Sequence, residues 1–178
     1  MSKVPVATVW LGGCSGCHMS FLDMDERLME LAEKIEITSS PFTDVKEIPE
    51  VTIGIVEGTV CNNENIETLK DLRSKCKILV AIGDCAAYGG ISSMRNWFPT
   101  DEVLRRAYIE TESTVLGDIP EDKILPKLIE RARPIQEIVK VDAYIPGCPP
   151  SGDEIYYAIT ELLAGRIPIW EEGRIHYD

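Results

Sequence analysis

Residues 4–17 read VPVATVWLGGCSGC. Val4 to Leu11 is apolar or β-branched and uncharged, and Gly12-Gly13 ends the run, which predicts a strand buried on both faces. A glycine-rich turn carrying Cys14 and Cys17 follows at once. The same pattern returns at Val51 to Val56, closed by Glu57-Gly58, at Ile78 to Ile82, closed by Gly83, and at Val139 to Ile145, closed by Pro146-Gly147. Ile35 to Thr38 is a shorter strand candidate. Helical patterns separate these strands. From Phe21, apolar residues recur at Met24, Leu28, Leu31, Ala32 and Ile35, which predicts one amphipathic helix. Asn62 or Asn63 caps a helix running to about Lys75, and Ser151 with Glu154 forms a capping box ahead of a helix stopped by Gly165. Thr100 to Tyr108 is helical, while Gly117, Pro120, Pro126 and Pro134 predict short helices and irregular surface through the rest of 89–134. Alternating buried strands and helices predict an α/β fold, an open, mostly parallel, doubly wound sheet with helices on both sides.

The chain has 178 residues, a length suited to a single domain over residues 1–178. Hydrophobic residues make up 44% and charged residues 27%, the balance of a globular chain. With 18 Lys and Arg against 30 Asp and Glu, the net charge is −12. No segregated basic face offsets it, so a nucleic-acid partner is not expected. The N-terminus carries no signal-peptide core or twin-arginine pair, and no run of about 18 apolar residues follows, so the expected compartment is the cytoplasm, without direct membrane insertion. There, the six cysteines point to metal or redox chemistry rather than disulfides.

The strand map separates these cysteines. Cys14 and Cys17, Cys85, and Cys148 each follow a strand and fall at the carboxyl edge of a parallel sheet, where ligand sites form. Cys76 falls at the opposite edge, as a small buried hydrophobe. Cys61 follows a strand less closely, and Asn62 and Asn63 beside it suggest a helix start. Four converging thiols suit an iron-sulfur cluster. They also suit structural zinc, although zinc sites usually show two close pairs. A Cys-x-x-Cys dithiol would leave Cys85 and Cys148 unexplained. Gly12, Gly13, Gly16, Gly83 and Gly147 let backbone approach a bulky group.

Taken together, Trp10-Leu11-Gly12-Gly13-Cys14-Ser15-Gly16-Cys17, Val56-Glu57-Gly58, Gly83-Asp84-Cys85-Ala86-Ala87-Tyr88-Gly89-Gly90 and Pro146-Gly147-Cys148-Pro149-Pro150 resemble the small subunits of nickel-iron hydrogenases and the related cluster-bearing subunit of respiratory complex I. The Cys-x-x-Cys form resembles the hydrogenases, and most closely their cytoplasmic NAD-reducing group. The resemblance implies a flavodoxin-like domain with one [4Fe-4S] cluster on Cys14, Cys17, Cys85 and Cys148, proximal to a nickel-iron centre held by a partner large subunit. It implies an electron relay toward flavin- and NAD-binding diaphorase subunits, with no catalytic residue in this chain and no activity alone. A membrane-associated energy-converting hydrogenase or complex I-like module is the alternative.

Met19 stands where many hydrogenase small subunits carry Glu, so that carboxylate's role does not carry over. Cys61 stands near where others often have Pro. Glu57 is expected at the cluster edge, as a positioning or proton-carrying group or as a structural carboxylate. His18 is expected either to contact the cluster or partner or to be packed, and His176 carries no signal. No Gly-x-Gly-x-x-Gly or Walker A pattern occurs, so nothing in the chain reads NAD or ATP. By fold analogy alone, a flavodoxin-like sheet could hold a flavin mononucleotide (FMN) at its strand ends.

Overall fold

The computed structural model describes residues 2–171. Its elements run β1 (Val4–Trp10), α1 (Gly16–Leu22), α2 (Glu26–Lys34), β2 (Ile35–Ser39), β3 (Val51–Glu57), β4 (Val60–Asn62), α3 (Asn63–Lys75), β5 (Cys76–Ile82), α4 (Gly83–Tyr88), α5 (Thr100–Tyr108), β6 (Leu128–Arg133), β7 (Ala143–Ile145) and α6 (Gly152–Leu163), with 3-10 turns at Ile91–Trp97 and Ile135–Glu137. Five strands form one sheet in the order β2-β1-β3-β5-β7, and every neighbouring pair is parallel. This is the doubly wound order whose ligand crevice opens where the winding reverses, between β1 and β3.

Side chains alternate across each strand, so consecutive residues feed opposite layers. Val6, Ile53, Ile55, Val80 and Ile82 pack with Phe21, Leu31, Ile155 and Ile159 from α1, α2 and α6, and with Met24 from the turn between α1 and α2, on one face. Ala7, Val56, Leu79 and Ala81 pack with Leu69, Leu72 and Ala86 from α3 and α4 on the other. Both faces are covered, which explains why these strands read as unbroken apolar runs. The caps are those the sequence predicts. Asn62 Oδ1 accepts the Asn65 N–H, and Ser151 and Glu154 close a reciprocal capping box.

Several elements differ from the sequence reading, among them β4 and α4, which it does not foresee. The helix expected from Phe21 to Ile35 is two helices, because Asp25 takes φ 52° and breaks the ladder, and Ile35 opens β2. Segment 128–133, expected to be irregular, is a strand pairing antiparallel with β4. Its partner is distant in sequence, and exposed Glu130, Arg131 and Arg133 hide any alternation. The strand expected from Val139 shortens to Ala143–Ile145, because Asp142 reaches across with its side chain. Leu79 donates its N–H to Asp142 Oδ2 at 2.9 Å, Asp142 donates its own N–H to Leu79 O at 2.9 Å, and Arg73 donates to the same carboxylate at 2.6 Å. Among the described residues, no helix is long and apolar enough to cross a membrane.

Burial opposes the ionised form of Asp142, but the Leu79 N–H and the Arg73 guanidinium outweigh it and hold the carboxyl below its ordinary value. A depressed native pKa gives stability that is present above the ordinary carboxylate range and is lost as pH falls through the native value. In urea denaturation series, the stability gap between wild type and Asp142→Asn is expected to be widest near neutral pH, at about 1–3 kcal/mol, and to narrow on acidification below about pH 4.

Candidate metal centre

The sheet register sets the site. Trp10 pairs with Glu57, Glu57 with Ile82, and Ile82 with Ile145, so four strands end level at the carboxyl edge. The turns that leave them carry Cys14 and Cys17, Cys85, and Cys148. Cys17 and Cys85 are buried and Cys14 and Cys148 exposed. Cys17 and Cys148 each lie within electrostatic reach of Cys14 and Cys85. Burial first, then the Glu57 carboxylate, pushes the Cys17 thiol up, with Cys85, Cys14 and Cys148 adding in the same direction. Burial, then Cys85, Asp84 and Cys14, raises Cys148. Among the described residues, no three His, Cys, Asp or Glu side chains are gathered tightly enough to chelate one metal ion.

Backbone and side-chain ties hold these turns together. Asp84 Oδ1 accepts the Gly147 N–H at 2.8 Å while Gly147 O accepts the Asp84 N–H at 2.9 Å, which locks the Cys85 turn to the Cys148 turn. Thr59, fully buried, donates its hydroxyl toward Cys85 O and Gly89 O, both at 2.9 Å. Its backbone pairs reciprocally with Gly12 in the first cysteine turn. Ser20 Oγ donates to Pro150 O, joining α1 to the loop after Cys148. Thr59 and Ser20 carry no motif signal; only the folded partners reveal them.

Glu57, 2% exposed, is the centre of this lattice. Its carboxylate accepts the backbone N–H of Cys17 at 3.2 Å and of His18 at 2.9 Å, and it meets His18 Nδ1 at 2.5 Å. His18 Nε2 lies 3.0 Å from Thr8 Oγ1. Burial pushes the Glu57 carboxyl up, but the His18 ring, the His18 N–H and the Cys17 N–H outweigh it and hold it below its ordinary value. The structure thus makes His18 a packed histidine, edge-on to Trp10 and Phe42, and Glu57 a group that anchors the Cys17 turn.

The sulfurs lie close against glycines in the turns. A Cβ on Gly83, which takes φ +79°, would collide with Cys17 Sγ, and one on Gly90 would lie 2.7 Å from Cys85 Sγ. The donor set, four thiols of which two are buried, is that of an iron-sulfur cluster. Cys76 starts β5 opposite Val51, at the far edge, with its sulfur against the position of Gly54. Cys61 sits in β4, immediately before the Asn62 cap of α3, and a Cβ on Gly12 would collide with its sulfur. Its thiol, raised by burial, feels both Arg95 and Cys85, so it borders the site. His176 lies outside the described residues.

Comparisons with known proteins agree with this geometry. A family model described as NADH ubiquinone oxidoreductase, 20 Kd subunit, matches residues 14–162. The delta subunit of the NAD-reducing hydrogenase HoxS of Cupriavidus necator is 46% identical over 168 residues, covering 92% of this chain and 80% of that one. A subunit of the F420-non-reducing hydrogenase of Methanothermobacter thermautotrophicus is 41% identical over 168 residues, and there the match spans 92% of this chain but only 54% of the relative. Among solved structures, a chain of an NAD+-reducing [NiFe]-hydrogenase in the H2-reduced state superposes with a TM-score of 0.95 at 43% identity, covering 99% of this chain and 100% of that one. A [NiFeSe]-hydrogenase chain from Dm. baculatum, at 20% identity and a TM-score of 0.62, shares the fold over 97% of this chain and 68% of its own length.

Removing the Glu57 carboxylate strands two amide donors and the His18 ring in the interior. Glu57→Ala is expected to lower the unfolding free energy by about 3 kcal/mol or more, measured by chemical denaturation. Substituting the exposed Glu112 serves as the control, with no measurable change in the unfolding midpoint.

Proposed function

The chain belongs to the NADH ubiquinone oxidoreductase 20 kDa subunit family, and from that premise we propose that it is the electron-relaying small subunit of an NAD-reducing nickel-iron hydrogenase. In this reading it is a single cytoplasmic domain, inactive alone. It relays electrons between the nickel-iron centre of a large subunit and diaphorase subunits that bind flavin and NAD. Cys14, Cys17, Cys85 and Cys148 would hold one [4Fe-4S] cluster. When bound, such a cluster supplies one-electron storage at a low potential, tuned by charge, hydrogen bonds to sulfur and solvent exposure.

The observation that supports the reading is that the segments carrying those four cysteines leave strands whose ends the sheet holds level. The identity to NAD-reducing enzymes over nearly the whole chain favours this assignment over a membrane-associated module. The chain's own residues do three things here. Glu57 and Asp84 fix the turns that present the sulfurs. Burial of Cys17 and Cys85 keeps water from the inner side. The end of α4 and the segment after it expose Tyr88, Ile91, Met94, Trp97 and Phe98, an apolar stretch suited to a large-subunit surface.

Anaerobically purified complex tests the assignment. Cys14→Ser, Cys17→Ser, Cys85→Ser and Cys148→Ser are each expected to lose the cluster's iron and sulfide and its reduced-state electron paramagnetic resonance signal, with hydrogen-dependent NAD reduction abolished. Cys76→Ser is expected to keep about four irons per cluster. One zinc without iron or sulfide would overturn the reading.

A further inference from the structure

Arg95 lies in the 3-10 turn that follows α4 and is half-buried. Its guanidinium is spent on neutral acceptors. Nη2 donates to Ile129 O at 2.7 Å and to Cys61 O at 3.2 Å, and Nη1 reaches Glu130 O at 3.4 Å and Thr100 Oγ1 at 3.5 Å. Its Nε is buried with no acceptor. Among the described residues no carboxylate forms an ion pair with Arg95, whereas Arg105 and Arg106 are each paired with a glutamate. A half-buried cation that stays unpaired and keeps a stranded N–H is costly unless negative charge stands within range.

Cys61 links this cation to the cysteine turns. Its carbonyl accepts the Arg95 hydrogen bond, its sulfur lies against the Gly12 position two residues ahead of Cys14, and it is within electrostatic reach of Cys85. Ser92, from the same 3-10 turn as Arg95, donates its hydroxyl to Gly12 O at 2.9 Å, which fastens that turn to the first cysteine turn. The carboxylates at this edge, Glu57 and Asp84, meet His18 and backbone N–H groups, and so leave the Arg95 charge unanswered. We propose that Arg95 sets the potential of the site: its uncompensated charge favours the reduced state, and its hydrogen bonds to Cys61, Ile129 and Glu130 hold that charge in place. The inference rests on the cluster assignment above, in which the occupant of the four thiols gains one negative charge with each electron it takes. Net charge nearby is one of the factors that set such a potential. The electron enters from the large subunit and leaves toward the diaphorase subunits, and Arg95 itself exchanges neither electron nor proton.

Redox titration of the anaerobically purified complex, followed by electron paramagnetic resonance with iron measured on the same samples, tests the proposal. Arg95→Gln is expected to keep its iron and to need a more negative potential for half-reduction. At the wild-type midpoint its ratio of reduced to oxidised cluster falls several-fold. Arg95→Lys keeps the charge without the guanidinium fork and is expected to stay close to wild type. Thr100→Asp puts a carboxylate beside Nη1 at the start of α5 and is expected to shift the potential in the same direction as Arg95→Gln, so it decides the matter if Arg95→Gln does not assemble. An unmoved potential in Arg95→Gln, or in Thr100→Asp where that variant has to serve, would overturn the proposal. So would an equal shift in Arg95→Lys, which would make the hydrogen-bonded clasp the cause and not the charge. In both cases the iron is retained, whereas wild-type complex without iron would overturn the cluster assignment itself and this inference with it.

Discussion

An ionised carboxylate buried at the end of a central strand is costly unless donors surround it, and the arrangement around Glu57 follows from that constraint. Two backbone N–H groups and an imidazole meet its oxygens, and all belong to Cys17 and His18 at the start of α1. Since β3 is in register with both β1 and β5, fixing Glu57 ties the first cysteine turn to strand ends already held level. The Asp84 and Gly147 exchange does the same for the Cys85 and Cys148 turns one strand further on. Segments that carry four cysteines far apart in sequence thus leave one edge of the sheet, tied there by the ladder and two carboxylates.

The legible part of this design is the part with a short period. Buried strands closed by glycine, the Asn62 cap and the Ser151–Glu154 box are local patterns, and each appears where the sequence predicts it. Counting from strand ends is enough to set Cys76 at one edge and the four candidate ligands at the opposite edge, because a parallel sheet converts chain position into edge position. What is not legible depends on distant partners or on one backbone angle. The pairing of β6 with β4 joins segments with no shared pattern, and the positive φ at Asp25 splits a stripe that reads as continuous. Thr59 reads as an ordinary turn residue, yet its hydroxyl bridges two carbonyls of the α4 turn. The course of β4 brings Cys61 toward Gly12, which its asparagine neighbours do not foretell.

The strand order also bears on what kind of ligand the edge accepts. In open sheets of this topology the crevice between β1 and β3 receives mononucleotides, whose phosphates are held by free N–H groups at a helix start. Here those donors, the N–H groups of Cys17 and His18, are already engaged by a carboxylate that the chain supplies itself. A flavin phosphate at this point would have to displace Glu57 and strand its charge in the interior. The topology explains where a ligand sits, and the residues at that place decide its class: at the start of α1 the donors that would meet a phosphate are held by an internal anion, and the cysteine-bearing turns stand beside them.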